Sequence, residues 1–388
     1  MLSGLDAFIT APLIFLMKKP WQAYCVIGIS SMIFSWFFWP VTASLIVAAM
    51  LFPAAVKAGL PPIGAAQAFC LFSCGMALSS DVVIGGISRL TADAANIPVR
   101  DIIINILPLS AVMGIVTLSC TFISLRRDIK SDKISKEVSE ASWRERYITE
   151  QGLRREEIVN LPIRLKVIFS AAIFSICLLY LTVVCFMNYT MYEAAAVIGG
   201  AAVIVIFSIS AGIYKKACFE KAAAHFIEGL HFSIKVFGPI IPVTAFFYFG
   251  GSGLSDVIGN ILPSGSHGII KDLSTIFSSA IVLGPALAAI IVISVGILFT
   301  RGNSPLASIP AAAAVIDLIS PILGGNTSVL LALGQMTVIW IGGWTLRPRS
   351  IISICTVYKV NPIELAERNL RPVILGMCAA AAAAIVLY

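Results

Sequence analysis

Charge is scarce in this chain: Asp, Glu, Lys and Arg make up 12% of 388 residues, against 59% hydrophobic ones. A water-soluble core cannot absorb that much apolar surface, so the composition predicts a protein that crosses a membrane many times. Strand-like alternation is absent, so a membrane β-barrel is not expected. Histidine is limited to His225, His231 and His267, and these form no metal-ligand pattern. The nine cysteines (Cys25, Cys70, Cys74, Cys120, Cys177, Cys185, Cys218, Cys355 and Cys378) mostly sit in apolar runs without CxxC spacing, so they read as small apolar residues and no metal site is expected. No GxxxxGK loop is present, which disfavours direct ATP coupling. No nucleophile, base and orienting group stand at a recognisable spacing, so an enzyme is not expected. The first residues lack the basic segment of a secretory signal.

The net charge of +7 does not point to nucleic acid, because 11 of the 27 Lys and Arg residues lie between Arg126 and Lys166, mixed with acids. Positive residues between spans place that loop in the cytoplasm. Residues 125–162 therefore read as a charged cytoplasmic linker between two membrane segments, 1–124 and 163–388.

Apolar runs long enough to cross the hydrocarbon recur through both segments. The first holds Trp21 to Phe38, Leu45 to Ala58, Ile63 to Leu78 and Ile102 to Ile123, with a polar connection through Arg89, Asp93 and Arg100. The second holds Leu165 to Met187, Tyr192 to Tyr214, Ile276 to Phe299, Leu306 to Ile322, Val329 to Ile341 and Pro372 to Tyr388. Lys215 and Lys216 mark a cytoplasmic end, and Ala222 to Lys235 is amphipathic enough to lie at the interface.

Two of these runs are interrupted where a span needs neither glycine nor polar residues: at Thr300-Arg301-Gly302-Asn303-Ser304-Pro305 and at Gly342-Gly343-Trp344-Thr345-Leu346-Arg347-Pro348-Arg349. Irregular backbone at membrane depth is tolerated only inside protein or beside a watery cavity, so the pair predicts a substrate site. The chain also repeats itself. Pro98 and Pro362, Asn105 and Asn369, and Pro108 and Pro372 are each 264 residues apart. At that spacing the break at Trp39-Pro40-Val41-Thr42-Ala43-Ser44 meets the break at Ser304-Pro305, and Ser79-Ser80-Asp81 meets Gly343-Trp344-Thr345. Leu165 to Gly251 has no counterpart in the first segment, so the first repeat is expected to lack its leading spans.

Two related halves, each with a helical hairpin whose tip is polar and a following helix broken by Gly, Ser or Thr, resemble the ion transporter superfamily. That superfamily includes divalent-anion symporters, gluconate, citrate and C4-dicarboxylate permeases, and some sodium/proton antiporters. The tip Gly302-Asn303-Ser304-Pro305 is similar to the superfamily's Ser-Asn-Thr tips, whereas Phe38-Trp39-Pro40-Val41-Thr42 lacks the Asn. The resemblance implies an all-α membrane protein of about ten transmembrane or re-entrant helices in two pseudo-symmetric, inverted repeats. It also implies secondary transport of a small organic anion with H⁺ or Na⁺, a homodimer, and a bacterial-type plasma (inner) membrane.

Helix ends supply the chemistry expected of such a site. The free N–H groups of a half-helix favour an anion, and unwound carbonyls and hydroxyls hold Na⁺. Gly302, Gly342 and Gly343 allow close backbone approach, while Thr42, Ser44, Ser79, Ser80, Asn303, Ser304, Ser308 and Thr345 offer neutral hydrogen-bonding groups suited to a carboxylate. Arg301 reads either as a bidentate carboxylate ligand or as a snorkelling interfacial residue. Arg347 and Arg349 read as topology charges. Asp81 and Asp317 are the ion-coupling candidates, since an acid within a span is costly; Asp81 reads equally as a cap for a helix beginning at Val82, and one hydrogen bond would account for Asp317. Trp340 and Trp344 read as cavity lining or as aromatic packing, and Gly376 as close helix packing. Two other readings stay open: a sodium/proton antiporter using Asp81 and Asp317, and a membrane-embedded remnant that does not transport.

Overall fold

The computed structural model describes residues 12–81, 86–131, 163–165, 167–171, 175, 191–250, 253–259, 261–263, 265–266, 269, 272, 284–301 and 305–388. Most of the charged linker, most of the span expected from Leu165 to Met187, and the tip residues Gly302, Asn303 and Ser304 fall outside them.

The protein is an all-α membrane protein; the described residues form helices and no strands. In chain order the first set is α1 (Pro20–Phe37), α2 (Pro40–Lys57), α3 (Pro62–Ser80), α4 (Gly86–Ala95) and α5 (Val99–Lys130). Then come α6 (Met191–Tyr214), α7 (Cys218–Phe237), α8 (Ile240–Gly250) and α9 (Gly253–Ile258). A second set follows: α10 (Pro285–Phe299), α11 (Pro305–Leu323), α12 (Thr327–Gly342), α13 (Pro348–Tyr358) and α14 (Pro362–Leu387). Among the described residues, Pro62–Ser80, Val99–Lys130, Gly199–Lys235, Leu306–Leu323 and Pro362–Leu387 are long and apolar enough to cross a membrane.

The second set replays the first. Each of its helices begins between 262 residues (Gly86 and Pro348) and 265 residues (Pro20 and Pro285) after its counterpart. The stop and start signals are repeated as well. Proline opens α1, α2 and α3 and again α10, α11, α13 and α14, where its missing N–H is one that the first helical turn leaves unpaired anyway. Side-chain caps assist in the second set: Asn326 accepts from Ser328 N–H at 3.0 Å and Asn361 from Ile363 N–H at 2.9 Å.

Helix α4 ends on Asn96 at φ 53°, with Ile97 N–H bonded to Ala92 O at 3.0 Å. Its counterpart α13 ends on Lys359 at φ 54°, with Val360 N–H bonded to Cys355 O at 3.0 Å. Both are left-handed caps of the same bonding pattern. The sequence pattern predicts only a polar connection through Arg89, Asp93 and Arg100. The chain instead makes an amphipathic helix there, because Ile87, Thr91, Ala92 and Ala95 fall on one face and are buried.

Two compact units divide the chain. The smaller comprises Met1–Ile27, Leu45–Pro61 and Lys136–Val236, and the larger comprises Gly28–Ser44, Pro62–Ser135 and Phe237–Tyr388. The core of the larger unit is built around α12, in which every residue from Val329 to Trp340 is buried. Around it lie Ala288 and Val292 of α10, Ile316 of α11, Ile102, Ile106, Leu109 and Met113 of α5, and Val373, Met377 and Ala380 of α14. Broken helix α3 is as enclosed, with 89% of its apolar window buried, while the outer faces of α5 and α14 carry exposed Ile104, Ile115, Ile374 and Leu375. That distribution suits a lipid solvent, which accepts apolar side chains but no unpaired backbone.

The long helices α5 and α14 lie against one another. A Cβ at Gly376 would fall 2.0 Å from Thr117 Oγ1 and 3.0 Å from the Met113 carbonyl oxygen. At one end Arg368 bridges Asp128 at 2.8 Å and Glu364 at 2.9 Å. Gly376→Ala is expected to push these helices apart and lower stability by about 1–3 kcal/mol. Thermal unfolding in detergent reads this as a midpoint lower by several degrees, and an unchanged midpoint would show that the contact is not a tight one.

Candidate functional site

The site lies in the larger unit and is assembled from matched interruptions. Helix α10 ends at Thr300, whose hydroxyl donates to Ile297 O at 2.6 Å. Arg301 follows in the turn and is exposed. Helix α11 returns at Pro305, and Ser308 in its first turn donates back to Phe299 O at 2.7 Å, closing the hairpin. Gly302, Asn303 and Ser304 belong to the tip by sequence and are outside the described residues.

The second break rests on this hairpin. A Cβ at Gly342 would lie 2.2 Å from Thr300 Cγ2 and 3.2 Å from Thr300 Cα, so only glycine permits the approach. Arg347 Nη1 donates to the Thr300 carbonyl, satisfying an acceptor at the end of α10 that the helix itself leaves open. Arg347 is thus a structural ligand of the hairpin, where sequence reading expected a topology charge. Thr345, fully buried, donates to the Trp340 carbonyl. Its own carbonyl accepts from Asn369 Nδ2 at 2.9 Å, and Asn369 Oδ1 accepts from Gln67 Nε2 at 3.2 Å. Arg301, Gly342, Gly343 and Thr345 therefore belong to one region of tip and break. From the first tip, Trp39 meets Trp344 edge-on, with ring centroids 5.4 Å apart. Behind Trp39, Thr42 is half-buried and Ser44 fully buried in the early turns of α2.

The first break has a different lining. Helices α3 and α12 both pass into π-helical turns before they stop, at Cys70–Ala77 and Val338–Gly342. Such widened turns leave backbone groups less tightly paired and concentrate at functional positions. Beyond the first of them, the Ser79 hydroxyl donates to Met76 O at 3.1 Å and accepts from Ser110 Oγ and Trp340 Nε1, each at 3.2 Å. Ser80 donates to Met76 O at 3.0 Å. Gln335, buried in α12, accepts from Thr91 Oγ1 at 2.6 Å and donates to Ser88 Oγ at 3.3 Å and to the Ser79 carbonyl at 3.4 Å. The indole of Trp340 packs where a Cβ at Gly75 would lie 2.6 Å from its ring atoms.

Asp81 ends α3 in a left-handed turn, φ 28° and ψ 48°, and its carboxylate accepts from Ile87 N–H at 2.6 Å. This bond lies at the described start of α4 (Gly86–Ala95), as a cap does; Val82, where the sequence pattern places the helix start, lies outside the described residues. Asp317 stands apart from the tip. It is partly buried twelve residues into α11, roughly 18 Å along the axis from Pro305.

Gln335, bonded to Thr91, Ser88 and Ser79, and Gln67, bonded to Asn369, tie the two sets of helices together, and the sequence pattern does not single out either. The available signal was a lone amide inside an otherwise apolar buried run, which is costly unless paired.

No family model matches the chain, and no solved structure matches it. It is 36% identical to an uncharacterized membrane protein of Bacillus subtilis (strain 168), YhfA, over 388 residues that cover 99% of this chain and 81% of the relative.

Gln335→Leu removes the shared partner of Thr91, Ser88 and the Ser79 carbonyl while nearly preserving volume. Removing the amide from these buried groups is expected to cost about 1–3 kcal/mol. Gly342→Ala is expected to dislodge Thr300 and to loosen the hairpin without comparable loss of global stability. Denaturation midpoints together with protease sensitivity near Arg301 check both; equal behaviour of the two variants and the parent would show that neither contact holds the breaks.

Proposed function

Since the chain belongs to the same membrane-protein family as Bacillus subtilis YhfA, we infer that it is a secondary active transporter of a small organic anion, coupled to H⁺ or Na⁺. The observation that carries this reading is the contact between the second hairpin tip and the second helix break at Thr300 and Gly342, in a chain whose breaks come in matched pairs. Two interrupted helices at corresponding places in two repeats are the arrangement by which transporters present half-helix ends to a substrate at membrane depth.

The chemistry is as follows. The N-terminus of α11, beginning at Pro305, follows the tip in the chain, and the positive end of its dipole favours an anion there, with Gly302, Asn303 and Ser304 as the substrate ligands. Arg301 adds positive charge beside them, and Gly343 and Thr345 supply the facing backbone and hydroxyl. In the first repeat Thr42, Ser44, Ser79 and Ser80 are the corresponding polar groups. Asp81, whose carboxylate also holds Ile87 N–H, and Asp317 are the carboxylates assigned to the coupling ion. Alternating access follows from movement of hairpins against broken helices, with the site fixed between them. The protein acts as a homodimer in the plasma membrane and does not act as an enzyme.

Purified protein in liposomes, given a panel of small carboxylates under separate Na⁺ and pH gradients, tests this. Accumulation of a carboxylate under one gradient is expected, with a fall of at least roughly tenfold for Asn303→Ala, equivalent to about 1.4 kcal/mol at the site. Proton movement on a pH jump with Na⁺ present and no carboxylate, abolished by Asp81→Asn, would replace this reading with the sodium/proton antiporter.

A further inference from the structure

Helix α7 carries a feature that transport through the breaks does not use. From Phe219 to Lys235 every residue except Ala222 is exposed. At 100° per residue, Phe219, Ala223, Phe226, Ile227, Leu230 and Ile234 fall in one sector, and Glu220, Lys221, His225, Glu228, His231 and Lys235 fall in the opposite one. Phe219 is 71% and Ile234 61% exposed, so no described residue of its own unit covers this apolar stripe.

The preceding helix α6 is apolar and ends at Tyr214, after which Lys215 takes φ 47° and Lys215–Ala217 make a single 3₁₀ turn. A left-handed residue breaks the axis, so α7 does not prolong the span. Two ring contacts fix α7 to the end of α6: Phe219 lies edge-on to Phe207 with centroids 5.4 Å apart, and His225 lies 6.3 Å from Tyr214. The amphipathic helix is thus held at the point where a hydrophobic span gives way to lysines.

Charge selects the occupant. Lys215, Lys216, Lys221 and Lys235 stand against Glu220 and Glu228, and Glu228 is engaged 3.7 Å from His225. We propose that α7 lies in the plane of the membrane interface, with Phe219, Phe226, Leu230 and Ile234 at the acyl boundary and the four lysines binding the headgroups of anionic lipids. An exposed stripe of this width with a basic opposite face suits a lipid surface, and each lysine near an anionic leaflet adds favourable attraction.

The test uses the full chain in vesicles of phosphatidylcholine and phosphatidylglycerol. Phe226→Trp adds an emitter to the native tryptophans, and the difference emission is expected to be quenched by lipids brominated high on the acyl chain and little by aqueous iodide. Quenching by iodide alone would place the stripe in water. Quenching by neither would place it against protein, such as a second copy. Either result overturns the proposal. Independently, replacing Lys215, Lys216, Lys221 and Lys235 by Gln is expected to lower the preference for phosphatidylglycerol over phosphatidylcholine among retained lipids by roughly tenfold. An unchanged preference overturns the headgroup assignment even if the stripe is in lipid.

Discussion

A backbone that enters hydrocarbon must satisfy its own polar groups, and the architecture follows from where this chain fails to do so. Helices α3 and α12 each widen into π turns and then stop, releasing carbonyls and amides among buried residues. Everything around them compensates. Arg347 caps the adjoining hairpin at Thr300, Asn369 takes the Thr345 carbonyl, and Gln335 takes the Ser79 carbonyl. Among the described residues the broken helices are consequently the most enclosed, while the intact helices α5 and α14 carry exposed faces, the reverse of a design in which regular elements form the core.

The repeat explains why this compensation works twice. Matched prolines and matched left-handed caps at Asn96 and Lys359 give the two sets of helices the same order and spacing. Identity of side chains is not needed for this. Residues equivalent at the 264 spacing differ: Met76 stands where the second set has Trp340, and Asp81 where it has Thr345. The scaffold is therefore symmetric while the polar lining is not, and one break is lined by serines around an indole, the other by glycines around a threonine and an arginine.

Much of this was legible in the sequence, for physical reasons that also mark where legibility stopped. Proline and asparagine act locally, so Pro98, Asn105 and Pro108 with their mates revealed the repeat, and Gly342-Gly343 revealed the second break. The π turns left no such mark, since Cys70–Ala77 reads as an ordinary apolar run and its widening comes from tertiary packing of Trp340 on Gly75. Helices α4 and α13 were hidden because their exposed faces are polar, which made α4 look like a connection. Asp81 illustrates the limit of reading one residue alone: its cost within a span and a capping role were both legible, but which N–H it accepts from, that of Ile87 six residues on, was not.

The two central glutamines bond in opposite directions across the chain. Gln335 of the second set secures Ser79, Ser88 and Thr91 of the first, while Gln67 of the first secures Asn369 of the second, 302 residues away. Neither set of helices can complete its own polar accounting. During synthesis at about 5–20 residues per second, Gln67 enters the membrane roughly 15–60 s before Asn369 exists. The nascent first half must pass that interval with its buried amide and serines paired to water, lipid headgroups or the insertion machinery, so the order of biogenesis is written into the same bonds that close the finished site.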